Sequence, residues 1–140
     1  MTVTRVEVGF VTGAGLVEFY RDVFGLTEIE PRSFPMGTLR RLEAGPGVLK
    51  FLTPVEPAVA APVEPGPFWR RRGLQYVALW LDHLDGISAS AVARGGSVVQ
   101  EPTEIRPGVF TMLLLDPDGN TVEVMADAGA PAATAPGAGG

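Results

Sequence analysis

The chain of 140 residues has no cysteine and only one histidine, His83. The first absence excludes disulfides and thiolate metal sites. The second leaves a metal centre to be built almost wholly from oxygen donors. Basic residues are scarce: 11 Lys and Arg stand against 16 Asp and Glu, a net charge of -5. That balance argues against a nucleic-acid surface, which needs a basic field. The local run Arg70-Arg71-Arg72 reads as a solvated loop end. No apolar run approaches membrane-spanning length, so no membrane partner is expected. No basic segment followed by an apolar one opens the chain, so no signal peptide is expected and the default location is cytoplasmic. What the chain has in quantity is hydrophobic residues, 46%, enough for the core of one ordinary domain.

Val3 to Val11 alternates as a half-buried strand, with Val6, Val8 and Phe10 on one face and Arg5, Glu7 and Gly9 on the other. Leu16, Phe19, Tyr20, Val23 and Phe24 recur at helical spacing, and Gly25 closes the helix. Strands are predicted at 27–34, 37–43 and 47–53. From Pro54 to Pro67 the composition shifts to Pro, Ala, Val and Glu, which reads as an extended, semi-rigid linker. The pattern then restarts. Leu74 to Leu81 alternates, with Tyr76, Ala78 and Trp80 on one face. Leu84, Ile87, Ala91 and Val92 suit a helix that ends at Gly95-Gly96. Strands are predicted at 97–101, 109–115 and 120–125. The Ala/Pro/Gly tail, 127–140, has nothing to bury and is expected to be disordered.

Each half thus reads strand, helix, three strands. The expectation is an α+β fold, a single domain over 1–126. It comprises module 3–54, linker 55–72 and module 73–126, two βαβββ units whose curved mixed sheet surrounds a central pocket.

The stretch with the most chemical content is Asp116-Pro117-Asp118-Gly119-Asn120 followed by Thr121-Val122-Glu123-Val124. A tight polar turn leads into a strand that places Val122 and Val124 on the helix-covered face and Glu123 on the other. A carboxylate facing inward needs a metal, a cation or a proton. Ser88 and Ser90 have no histidine beside them, so no hydrolase triad is supported. Gly95-Gly96 ends a helix instead of opening one and makes no phosphate loop.

The chain resembles the glyoxalase / bleomycin-resistance / extradiol-dioxygenase (vicinal oxygen chelate) superfamily. The matching pieces are Phe19-Tyr20-Arg21-Asp22-Val23-Phe24-Gly25-Leu26, Gly73-Leu74-Gln75-Tyr76-Val77-Ala78-Leu79, Asp82-His83-Leu84-Asp85, and Asp116 through Glu123. The resemblance implies four metal-ligand positions on the first and last strands of the two modules. Counted back from Phe19-Tyr20, they fall on Arg5, Lys50, Tyr76 and Glu123. Only the last is a usual ligand. Charged Arg5 and Lys50 cannot bind a cation, and His83 falls in a turn. No metal at the family position and no cofactor are therefore expected. A charge cluster is expected instead: Arg5 and Lys50 against Glu123 and Glu7, with the Tyr76 hydroxyl alongside.

That cluster has two readings: an internal ion pair filling the ion's seat, or a pocket in which Arg5 or Lys50 holds an oxygen while Glu123 or Tyr76 acts as acid or base. Trp80 shares the face of Tyr76. Arg40 and Leu42 are placed in the same concavity by an assumed register, and Phe68 and Trp69 are candidates for a lid. Aromatic walls with a few polar groups suit a flat organic ligand, although Trp80 and Phe68 also suit plain packing.

The expected function is metal-independent binding of a small, aromatic or drug-like organic molecule, in the manner of bleomycin-resistance proteins, by a homodimer. The ligand-binding set is Arg5, Glu7, Arg40, Lys50, Tyr76, Trp80 and Glu123. The alternatives are a metal-free isomerase or lyase using Glu123 and Tyr76, a metalloenzyme with an atypical site, and a structural or interaction module whose pocket its own side chains fill.

Overall fold

The computed structural model describes residues 1–13, 15–59 and 67–127. The chain divides into two compact units, Met1–Glu64 and Pro65–Gly140. The first contains β1 (Glu7–Val11), α1 (Leu16–Phe24), β2 (Thr27–Phe34), β3 (Gly37–Ala44) and β4 (Gly47–Pro54). The second begins with a 3-10 turn, Phe68–Arg70. It continues through β5 (Tyr76–Trp80), α2 (Ile87–Ala93), β6 (Ser97–Arg106), β7 (Val109–Leu115) and β8 (Thr121–Ala126). Both sheets are mixed and run in the same order: β1-β4-β3-β2 and β5-β8-β7-β6, with the first strand parallel to the last. The α+β repeat is as expected.

In the first unit the amphipathic α1 turns its apolar side onto the sheet. Phe19 and Tyr20 are almost wholly buried, and the Tyr20 ring lies 5.5 Å from Phe51 of β4 and 5.2 Å from Phe10 of β1. Gly25 ends the helix in the left-handed region, φ 66, where its N–H bonds the Arg21 carbonyl. The second unit builds its core from the sheet more than from the helix. Met112, Leu114, Val122 and Val124 are fully buried, whereas α2 contributes Ile87 and Ala91. Val122 and Val124 thus lie on the buried face, as the alternation predicts.

The turn before β8 is held by one side chain. Oδ1 of buried Asp116 accepts the backbone N–H of Asp118 and of Asn120, each at 2.9 Å, and Oδ2 accepts the Asn120 side-chain amide at 2.9 Å. Gly119 supplies the positive φ of 88.

Several expectations are corrected. β1 starts at Glu7 and β5 at Tyr76, not at Val3 and Leu74. The partner strands decide this: β4 emerges from its turn only at Gly47 and β8 from its own only at Thr121, so upstream of β1 the Val6 carbonyl still accepts the Val48 N–H and the ladder stops there. β6 runs to Arg106 instead of Glu101, carried past irregular register by pairing with β7. Val92, expected on the buried side of the second helix, is exposed. The 3-10 turn at Phe68–Arg70 follows the span 54–67 expected to be extended. Residues 60–66 of that linker and 128–140 of the expected tail lie outside the described residues.

Candidate functional site

The two sheets are best compared through their registers. In the first unit, Gly9 of β1 sits beside Lys50 of β4, and Glu7 sits beside Val48. In the second, Ala78 of β5 sits beside Glu123 of β8, and Tyr76 sits beside Thr121. Lys50 and Glu123 are therefore equivalent, each next to a small residue. The equivalent of Tyr76 is Glu7, not Arg5. The count back from the helix is corrected by two residues, because strand pairing, not distance to the helix, sets which side chains face one another.

Glu7 gathers two of the positive charges of its unit. Its carboxylate is 3.1 Å from Lys50 Nζ and 2.8 Å from Arg5 Nη2. The hydrogen bond from Lys50, ahead of the opposing desolvation and the charge of Arg5, holds its pKa below the ordinary glutamate value. The expected cluster is thus found in part: Arg5 and Lys50 converge, and the acid between them is Glu7. The Glu7 carboxylate is 27% exposed and Lys50 is 37% exposed, so this is a partly hydrated pair.

Arg40 is elsewhere. It shares the face of fully buried Leu42 and of Phe51, its partner on β4, which is the face that α1 covers. There its guanidinium bonds Glu28 at 2.7 and 3.0 Å and Glu18 of α1 at 2.6 Å. Its pKa rises accordingly, from the hydrogen bond to Glu28 first, and that of Glu28 falls from the same bond. Arg40 and Leu42 do lie on one face, as expected, but that face is not the one bearing Lys50. Arg40 is a clamp between helix and sheet.

In the second unit, Glu123 accepts a hydrogen bond from Thr111 Oγ1 at 3.2 Å. Thr111, on the neighbouring β7, was not singled out by sequence; only the pairing of Thr111 with Met125 puts it on the Glu123 face. Tyr76 and Trp80 lie on that same face, 52% and 54% exposed. The Phe68 ring of the 3-10 turn leans on Tyr76 at 4.9 Å and on Trp69 at 5.3 Å. His83 is exposed in the segment after β5.

The chain matches the model of the Glyoxalase/Bleomycin resistance protein/Dioxygenase superfamily over residues 14–124. It belongs to that superfamily. Among solved structures, this member is similar to a glyoxylase/bleomycin resistance protein/dioxygenase domain from Frankia sp. EAN1pec (TM-score 0.66, 14% identity, 91% of this chain and 98% of that one). It is also similar to TioX from Micromonospora sp. ML1 (0.61, 19%, 91% and 99%) and to a glyoxalase I mutant from Zea mays (0.67, 18%, 85% and 43%). At these identities the likeness concerns the fold alone. No curated protein matches the chain.

The metal that the superfamily implies does not fit the donor set. One of the equivalent positions is an ammonium, Lys50, already bonded to the carboxylate at another, Glu7. Among the described residues no three His, Cys, Asp or Glu side chains gather in a way that could hold an ion. A divalent cation would have to displace Lys50 and meet Arg5 beside it, against charge repulsion. Among the described residues no helix is long and apolar enough to cross a membrane.

Proposed function

We propose that this superfamily member works without a metal and binds a small, flat organic molecule. The observation that carries the reading is the Lys50–Glu7 pair at 3.1 Å, which gives one module's carboxylate a built-in cation. Exposed Tyr76 and Trp80 on the Glu123 face supply stacking surface, with the phenol and the carboxylate as the polar groups that orient a ligand. The test has two parts. Metal analysis of protein dialysed against Ni, Zn and Mn should find well under one ion per chain. A panel of planar aromatics should quench Trp fluorescence saturably, and Trp80→Ala should lose that quenching. One tightly held ion per chain would overturn the metal-free reading. Lack of quenching by any planar compound would overturn the binding reading and favour a module closed by its own side chains.

A second reading is favoured by one juxtaposition. Tyr76 and Glu123 share a face two residues apart in register, and Glu123 is oriented by Thr111. In that reading the pair moves a proton in an isomerase- or lyase-type reaction, with Glu123 as base and the Tyr76 hydroxyl as donor. Glu123→Gln and Tyr76→Phe would then each abolish turnover while ligand quenching survives.

A further inference from the structure

Glu7 and Glu123 are the carboxylates of the two equivalent strand pairs, and their surroundings are opposite. Glu7 is bonded to two cations, Lys50 and Arg5. Glu123 is in none of the ion pairs among the described residues. The register of the second sheet gives the reason. Directly across from Glu123 stand Ala78 of β5 and Leu113 of β7. Two residues along those strands, on the same face, stand Tyr76, Trp80 and Thr111. None of them is basic. The basic run closest in sequence, Arg70-Arg71-Arg72, precedes β5, and Arg71 Nε donates to the Gln75 side chain at 3.0 Å.

The two oxygens of Glu123 also differ. Oε2 accepts the Thr111 hydroxyl at 3.2 Å, which orients the group. Oε1 has no partner among the described residues, and unlike Glu18 Oε1 it is not sealed from water. Ala78 presents only a methyl group, so no bulky side chain of β5 stands directly over the carboxylate. On either side of Ala78 along the strand, Tyr76 and Trp80 are about half exposed. An oriented carboxylate with one open oxygen, framed by aromatic rings, is complementary to a cation with an apolar body.

We infer that this face of the second module selects a positively charged ligand: an aromatic amine, amidine or guanidine. Its N–H donates to Glu123 Oε1, and its flat body lies against the surface of Tyr76 and Trp80. The inference rests on the binding reading above and adds the sign of the ligand's charge. The first module offers no such place, because Lys50 and Arg5 already neutralise Glu7.

The test uses the full chain, 15N-labelled, with the Trp80 indole N–H resonance identified by its loss in Trp80→Phe. Benzamidine, benzamide and benzoate share one shape and differ in charge; each is titrated at low salt. Benzamidine should shift the resonance saturably, with a Kd about tenfold below that of benzamide, the worth of one charge-assisted contact. Benzoate should bind most weakly. Glu123→Gln should bring benzamidine to the level of benzamide. The ranking on the parent chain decides the sign of the charge whether or not that variant folds. Benzamidine binding no tighter than benzamide or benzoate, or undiminished in Glu123→Gln, overturns the charge assignment while the binding of flat molecules stands. If none of the three moves the resonance, both readings fall.

Discussion

The two modules share strand order and the register of their first and last strands, yet they differ at both positions that carry the site. Where the first has Glu7 and Lys50 locked together, the second has Tyr76 and Glu123, an aromatic hydroxyl and an acid held by Thr111. Their cores differ in the same spirit. The first is aromatic and centred on the helix, with Phe19, Tyr20, Phe10 and Phe51 in contact; the second is aliphatic and centred on β7 and β8. The lesson is that the βαβββ frame fixes where side chains point and leaves their chemistry free. A repeat can therefore keep its geometry while one half carries an ion pair and the other exposed aromatic rings beside a carboxylate.

The largest effects should come from the cores. Phe51→Ala removes a buried ring stacked on Phe10 and touching Tyr20, and should lower unfolding free energy by about 3–5 kcal/mol in urea melts. Leu114→Ala in the second module should cost about 2–5 kcal/mol. If Leu114→Ala proved the costlier of the two, the aromatic core would not be the tighter one.

Arg40→Gln comes next, at roughly 1–2 kcal/mol, between the values for exposed and for buried pairs that lose one partner. It also carries a pH signature. Folding depresses the pKa of Glu28, chiefly through its bond to Arg40, so that bond stabilises the fold above the ordinary glutamate value of 4.5. The contribution disappears as pH falls through the lower folded value. Melting temperature should therefore drop on the acid side of pH 4.5 more steeply in the parent than in Arg40→Gln. Equal slopes would remove Arg40 from the account.

Glu7→Gln and Glu123→Gln separate the modules at the site itself. The first should flatten part of the acid-side stability loss, because the pKa of Glu7 too is depressed. The second turns the charged acceptor of the Thr111 hydroxyl into a neutral one. The smallest stability effect should be that of Trp80→Ala, within about 0.5 kcal/mol as for an exposed residue, although it should remove most ligand-dependent quenching.

Much of this arrangement was legible in the chain. β2 and β7 begin and end where composition and alternation place them, and Gly25 stops α1 as a left-handed cap. The site was harder to read. Arg5 aligns with the helix motif by counting, but β1 begins only at Glu7, because β4 has nothing to pair with Arg5. Arg40 and Arg41 are adjacent in the run Leu39-Arg40-Arg41-Leu42, where an apolar residue flanks either face. Nothing local decides which arginine lies under the helix. Thr111 joins Glu123 only through the β7–β8 pairing.

Local sequence by itself determined the repeat and the element types, and the superfamily resemblance pointed to Lys50 and Tyr76 at usual ligand positions, because hydrophobic period, turn residues and motifs are properties of neighbouring residues. Tertiary pairing alone decided that Glu7 holds Lys50, that Arg40 braces the helix, and that Glu123 stands among neutral neighbours on its sheet. A shift of one residue along a strand reverses the side on which every side chain stands, and only the neighbouring strand can fix that shift.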